Sequence, residues 1–199
     1  MKRLEGLRIG LLLGVCLVLY SGSAPGAEDS FFEPSRNRIE AAVRYGRTAD
    51  YKLNEFGGYD LGLNKFSLGD KTGYIDLLTP FARIAGSSLK MKHSGKSLSL
   101  EEAQKEGRGP VELRVFLYVR KEDLEDPIEC LVETGTDSID ISGMVMEFST
   151  CDDKTGDCVR SLSYLLPAEE LKGEQEFRIM LRGERLGEKR VKIQAARIR

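Results

Sequence analysis

Apolar residues recur along this chain at two periods, and the change from one to the other falls near residue 110. Before it, the spacing is helical in three places. Ile39, Ala42 and Val43 lie on one helical face ending at Gly46, after a polar, extended lead-in from Glu28 to Arg38. Thr79-Pro80 places an N-cap before a first-turn proline, and Phe81, Ile84, Ala85, Ser88 and Leu89 share a face, so a helix is predicted to about Lys92. Ser99 and Glu102 form a capping box and Gly107 supplies the stop of a third helix. Between the first two helices, Leu61/Leu63 and Phe66/Leu68 alternate, which predicts short strands, and Asp70-Lys71-Thr72-Gly73 reads as a turn.

After Gly107, Gly109 and Pro110 the period becomes two. Val111, Leu113, Val115, Leu117 and Val119 alternate, while Phe116 and Tyr118 make the opposite face apolar as well, as in a strand covered on both sides. Ile128, Cys130 and Val132 follow. Ile139 and Ile141 then share one parity and Met144, Met146 and Phe148 the other, with the switch at Gly143 reading as a β-bulge. Leu162/Tyr164/Leu166, Phe177/Ile179/Leu181 and Val191/Ile193/Ala195 complete six strands, with one helical turn between Pro167 and Gly173. The fold class expected is mainly β, with an α+β N-terminal segment (28–109) and an antiparallel immunoglobulin-like β-sandwich in the C-terminal half (110–199). Whether the two pack as one domain stays open at this level.

The first 27 residues follow different rules. Lys2, Arg3 and Arg8 precede an apolar run of 12 residues, Ile9 to Tyr20, and small residues with Pro25 lead to Ala27. This is the layout of a cleaved secretory signal peptide, too short in its apolar part for a membrane-spanning helix. Cys16 lies inside that run with Val15 before it, which does not suit a lipid-anchored cysteine. The expected location is therefore secreted or periplasmic, in the cell envelope, with no transmembrane helix after cleavage.

Composition narrows the chemistry. The 199 residues carry 30 Lys and Arg against 32 Asp and Glu, a net charge of −2 that argues against nucleic acid as a partner. With one histidine, a multi-histidine metal site is excluded, and a Cys-His nucleophile would have to join His93 to Cys130, the one placed in a Lys-rich stretch and the other at a core-parity strand position. Asp152, Asp153 and Asp157 offer oxygen ligands, but Lys154 and the absence of a closing Glu depart from a calcium loop. The aromatic, Gly-rich stretch from Tyr51 to Tyr74 is read as core filling between short strands in preference to a binding surface. The basic C-terminus, from Arg185 to Arg199, is diluted by Glu184 and Glu188 and reads as an ordinary charged strand face.

Export leaves Cys130, Cys151 and Cys158. Cys151 and Cys158 flank a hairpin turn and are expected to form a structural disulfide in an oxidising compartment. The run Met146 to Cys151, with Cys158 and a strand ending at Leu166-Pro167, resembles the N-terminal periplasmic domain of the DsbD thiol:disulfide interchange proteins. That resemblance covers about residues 110–199 and implies a redox-active pair on an immunoglobulin-like domain; Val159-Arg160-Ser161 stand where prolines would follow the second cysteine. No nucleotide loop, cofactor motif or catalytic triad is present in the sequence. The expectation is a non-enzymatic binding or accessory module whose partner is another envelope protein, with thiol-disulfide exchange through Cys151 and Cys158 as the alternative.

Overall fold

The computed structural model describes residues 32–53, 59–69, 71–135, 137–143 and 146–199; the leader read in residues 1–27 and the turn residue Asp70 lie outside them. The chain forms a mainly β structure in which the strand pairs among the described residues are antiparallel. Its helices are α1 (Arg36–Thr48), α2 (Pro80–His93), α3 (Leu100–Glu106) and the single turn α4 (Ala168–Leu171). The strands are β1 (Lys52–Leu53), β2 (Tyr59–Asp60), β3 (Lys65–Ser67), β4 (Gly73–Leu78), β5 (Glu112–Arg120), β6 (Glu129–Glu133), β7 (Ser138–Asp140), β8 (Met146–Cys151), β9 (Asp157–Leu165), β10 (Glu176–Gly183) and β11 (Gly187–Gln194).

Five strands pair in the order β3-β4-β5-β9-β8, four in the order β11-β10-β6-β7, and β1 with β2 make a separate ribbon. The doubly apolar strand of the sequence is β5, the middle of the five. Ile75, Leu77, Leu113, Val115, Leu117, Leu162 and Tyr164 from the larger sheet join Cys130, Val132, Phe177, Ile179, Leu181 and Ile193 from the smaller in one buried cluster. Burying side chains of this size is the main stabilising term of the fold. Strands β3 and β4, which precede Gly107, and β5, β8 and β9, which follow Pro110, thus belong to one sheet.

The parity switch at Gly143 has a different cause from the expected bulge. Ile139 lies in β7, paired with β6 in the smaller sheet, whereas Met146 and Phe148 lie in β8, paired with β9 in the larger. The chain leaves one sheet and enters the other with odd-numbered residues still inward, Ile139 in β7 and Cys151 in β8; the apolar parity switches because Met146 and Phe148 are apolar residues on the outward side. A sequence that alternates on both sides of a glycine is compatible with either event, because only the pairing partner distinguishes them.

The helices keep their own core. Ile39, Ala42 and Val43 of α1 meet Ile84 of α2, Leu98 and Ala103 of α3 in a second cluster separate from that of the sheets. Helix α1 continues past the expected stop at Gly46 to Thr48. Gly46 instead permits close approach, since a Cβ there would lie 2.0 Å from the Ala85 carbonyl oxygen. Ser88 donates to the Val43 carbonyl at 2.8 Å across the same contact. Asn64, at φ +54°, ties β4 to the C-terminus: its amide donates to Leu77 and Arg199 carbonyls and accepts from the Arg199 N–H.

Candidate functional site

Cys151 and Cys158 are directly opposite each other in the β8–β9 register and are joined by a disulfide, S–S 2.06 Å. Closing a loop this short stabilises the fold by about 2–3 kcal/mol in the chain-entropy model. The acidic loop between them satisfies itself. Asp152 Oδ1 accepts from the Lys154 N–H at 2.8 Å, the Asp152 carbonyl accepts from the Gly156 N–H at 2.9 Å, and Gly156 takes φ +74°. Among the described residues no three His, Cys, Asp or Glu side chains converge as metal ligands.

Cys158 also lines a cavity of about 980 Å³ at this end of the sheets, with Leu117, Val119 and Ile128 among its apolar lining. Arg160 of β9 projects from the core-facing side and is 5% exposed. Its guanidinium donates to Glu147 Oε1 and to the Asp126 carbonyl, each at 2.5 Å. A buried guanidinium without such partners would be costly, so these two bonds explain how a charge survives there. They also tie β8 to the segment before β6. The arrangement braces β8, the edge of the five-stranded sheet, at two places: the disulfide and Arg160.

That edge presents an unusual surface. Met146 and Phe148 point away from the core and are 53% and 63% exposed. Natural edge strands are commonly defended by charge. The edge strand β11 follows that rule with Glu188, Lys189, Arg190 and Lys192, whereas the one charge of β8, Glu147, is engaged by Arg160.

A second site lies on the same outer face, beneath α2. Cross-strand register places Lys65 of β3, Asp76 of β4 and Arg114 of β5 in one row. Two cations flanking a carboxylate would ordinarily pair with it, but both are diverted. Lys65 bonds Asp60 at 2.5 Å, and Arg114 donates twice to Glu112, at 3.2 and 3.0 Å. Among the described residues no hydrogen-bond donor or cation pairs directly with the Asp76 carboxylate, which lines a cavity of about 450 Å³. Burial, reinforced by the Asp60 charge and opposed by Arg114 and Lys65, raises its pKa to about 7.

The opposite wall is α2, which turns Ile84, Ala85, Ser88 and Leu89 to buried positions and leaves Arg83, Gly86, Ser87 and Lys90 at the cavity. Gly86 costs about 1 kcal/mol of helix stability relative to alanine, and a Cβ there would meet nothing within 4 Å. No packing contact requires the glycine; its absent side chain leaves space in the cavity.

No known protein family, curated protein or solved structure matches this chain.

The remaining sequence candidates fall elsewhere. Cys130 is a free thiol wholly inside the sheet core, and burial pushes its pKa far up. His93 ends α2 on the exterior, stacked on Tyr59 at 5.0 Å and edge-on to Tyr51 at 4.9 Å. Among the described residues no contact brings the two together. Tyr51 and Tyr59 are exposed, and Tyr59 and Tyr74 border the Asp76 cavity, so these aromatics are surface and not the core filling expected; Phe66 does pack on the core. Phe56 lies outside the described residues. Sequence reasoning missed Asp76 altogether. Its one local signal is a carboxylate at the outward parity of an otherwise apolar strand, and its isolation depends on where Lys65 and Arg114 send their charges.

Proposed function

We propose that this chain is an exported cell-envelope module that binds another protein by presenting β8 as an open edge, without enzymatic chemistry. Residues 1–27 act as its cleaved leader, and the two larger sheets act as the layers of an immunoglobulin-like sandwich. The observation that carries the reading is the pairing of an exposed apolar edge, Met146 and Phe148, with the Cys151–Cys158 bridge that holds it in register. An extended segment of a partner adds to such an edge through backbone hydrogen bonds, and the outward side chains select its sequence. The partner's matching segment is apolar at alternate positions, because Met146, Phe148 and neighbouring Val159 offer dispersion and no free charge. The acidic residues Asp152, Asp153 and Asp157 disfavour a thiolate beside either sulfur, which weighs against thiol-disulfide exchange.

The test is a photo-crosslinker placed at Ser149 in the full exported chain. A discrete adduct with a different protein, lost in Phe148→Ser, supports the reading. An adduct of two copies of the chain replaces it with self-association, and no specific adduct overturns it. A redox titration addresses exchange: a structural bridge stays oxidised below about −300 mV, and reduction at the potentials of exchange proteins would move the function to the cysteines.

A further inference from the structure

We propose that the cavity between α2 and the outer face of β3–β5 binds a small zwitterion with an apolar body, its ammonium group on Asp76 and its anionic group toward Lys90. Three observations converge on it. The Asp76 carboxylate faces a cavity with its cross-strand cations already committed to Asp60 and Glu112. A carboxylate that lines a cavity and has no ion pair among the described residues is an acceptor that a ligand's ammonium can meet. Next, Gly86 holds space open opposite it without a packing reason. Finally, at about 450 Å³, walled in part by Leu61, Leu63, Leu78 and Phe116, the cavity suits a small organic molecule.

The charge inventory selects the class. Asp60 and Asp76 face Lys65, Arg83, Lys90 and Arg114, so a bare organic cation enters a surplus of positive charge. A bare anion finds Asp76 in its path. Lys65 and Arg114 are paired, and Arg83 is bonded to the carbonyls of Leu78, Glu106 and Pro110. Lys90, exposed near the end of α2 and without an ion pair among the described residues, is left to take the anionic group. A zwitterion meets both demands, and an α-amino acid with an apolar side chain is the simplest example.

Protonation of Asp76 competes with the ammonium. Since its pKa is about 7, binding should weaken about tenfold between pH 8 and pH 6. The titratable and charged neighbours on every packed element are Asp60 and Tyr59 from β2, Lys65 from β3, Tyr74 from β4, Arg114 and Glu112 from β5, and Arg83 and Lys90 from α2. Burial, reinforced by Asp60 and opposed by Arg114 and Lys65, brings the Asp76 carboxyl into this range.

The experiment is calorimetric titration of the folded chain with three probes that share one body: L-phenylalanine, phenethylamine and 3-phenylpropionate. L-phenylalanine is expected to bind, with each single-charge analogue at least about tenfold weaker. Asp76→Asn should weaken L-phenylalanine at least about tenfold and abolish the pH dependence. Gly86→Leu, which fills the cavity without altering charge, should block binding while leaving the circular-dichroism spectrum unchanged. No binding of L-phenylalanine overturns the proposal. So does equal binding of phenylalanine and phenethylamine, or binding that both variants retain.

Discussion

The outer face of the five-stranded sheet is treated in opposite ways at its two ends. Over β3–β5 it is roofed by α2, yet the roof does not seal, because α2 buries its apolar side in the helical cluster and turns Gly86, Ser87 and Lys90 to the cavity. At the β8 edge the face is open, with Met146 and Phe148 53% and 63% exposed, although Ser163 of neighbouring β9 is buried. The roofed end therefore leaves the Asp76 carboxylate without an ion pair among the described residues, and the β8 end leaves apolar surface exposed at Met146 and Phe148. The covered end partly desolvates a carboxylate and so raises its pKa, whereas the β8 end keeps its apolar groups accessible to a large partner. An apolar edge is an aggregation hazard unless it is held in one register. The bridge and Arg160 supply that restraint.

This contrast predicts graded effects. The largest belongs to the roof. Ile84→Ala removes a fully buried contact between α2, α1 and α3 and should destabilise the chain by about 2–5 kcal/mol in urea unfolding. The bridge comes next: Cys151→Ser with Cys158→Ser should cost about 2–3 kcal/mol. Hydrogen exchange should then quicken at the β8 amides facing β9 but not in β11. Equal acceleration at both edges would break the comparison.

Asp76→Asn isolates the covered end. The carboxyl holds its proton more tightly folded, pKa about 7, than at its ordinary 3.8, so stability is lost as pH rises from about 4 through 7. The variant escapes that loss. Its melting temperature should exceed that of the parent above pH 7, with the difference closing toward pH 4; a difference independent of pH would assign Asp76 a pairing it lacks here. The smallest stability change is at the bare end, where Met146→Ser with Phe148→Ser should shift unfolding by no more than about 0.5 kcal/mol. The same pair of substitutions should abolish the crosslink at Ser149. A large stability loss would mean that Phe148 serves the fold instead of a partner.

Local signals were legible where the chemistry is local. Thr79-Pro80 opens α2, the Ser99–Glu102 capping box opens α3, and alternation marks β5, β6, β9, β10 and β11. The cysteine pair was legible too, since a turn between two strands brings flanking residues opposite each other. Gly46 shows the limit: as a residue type it signals a stop, but its place against Ala85 makes it a contact point within a helix that continues.

The sequence by itself thus determined the antiparallel character, the helical starts and the position of the bridge, because each rests on neighbours a few residues apart. Tertiary structure alone decided that β7 and β8 belong to different sheets, that β4 pairs with β5 across the Gly107–Pro110 segment, and that Asp76 has no ion pair among the described residues. Those outcomes depend on which strand lies beside which and on where two competing cations settle. Period and propensity report which face a residue occupies; they hold no information about who stands opposite it.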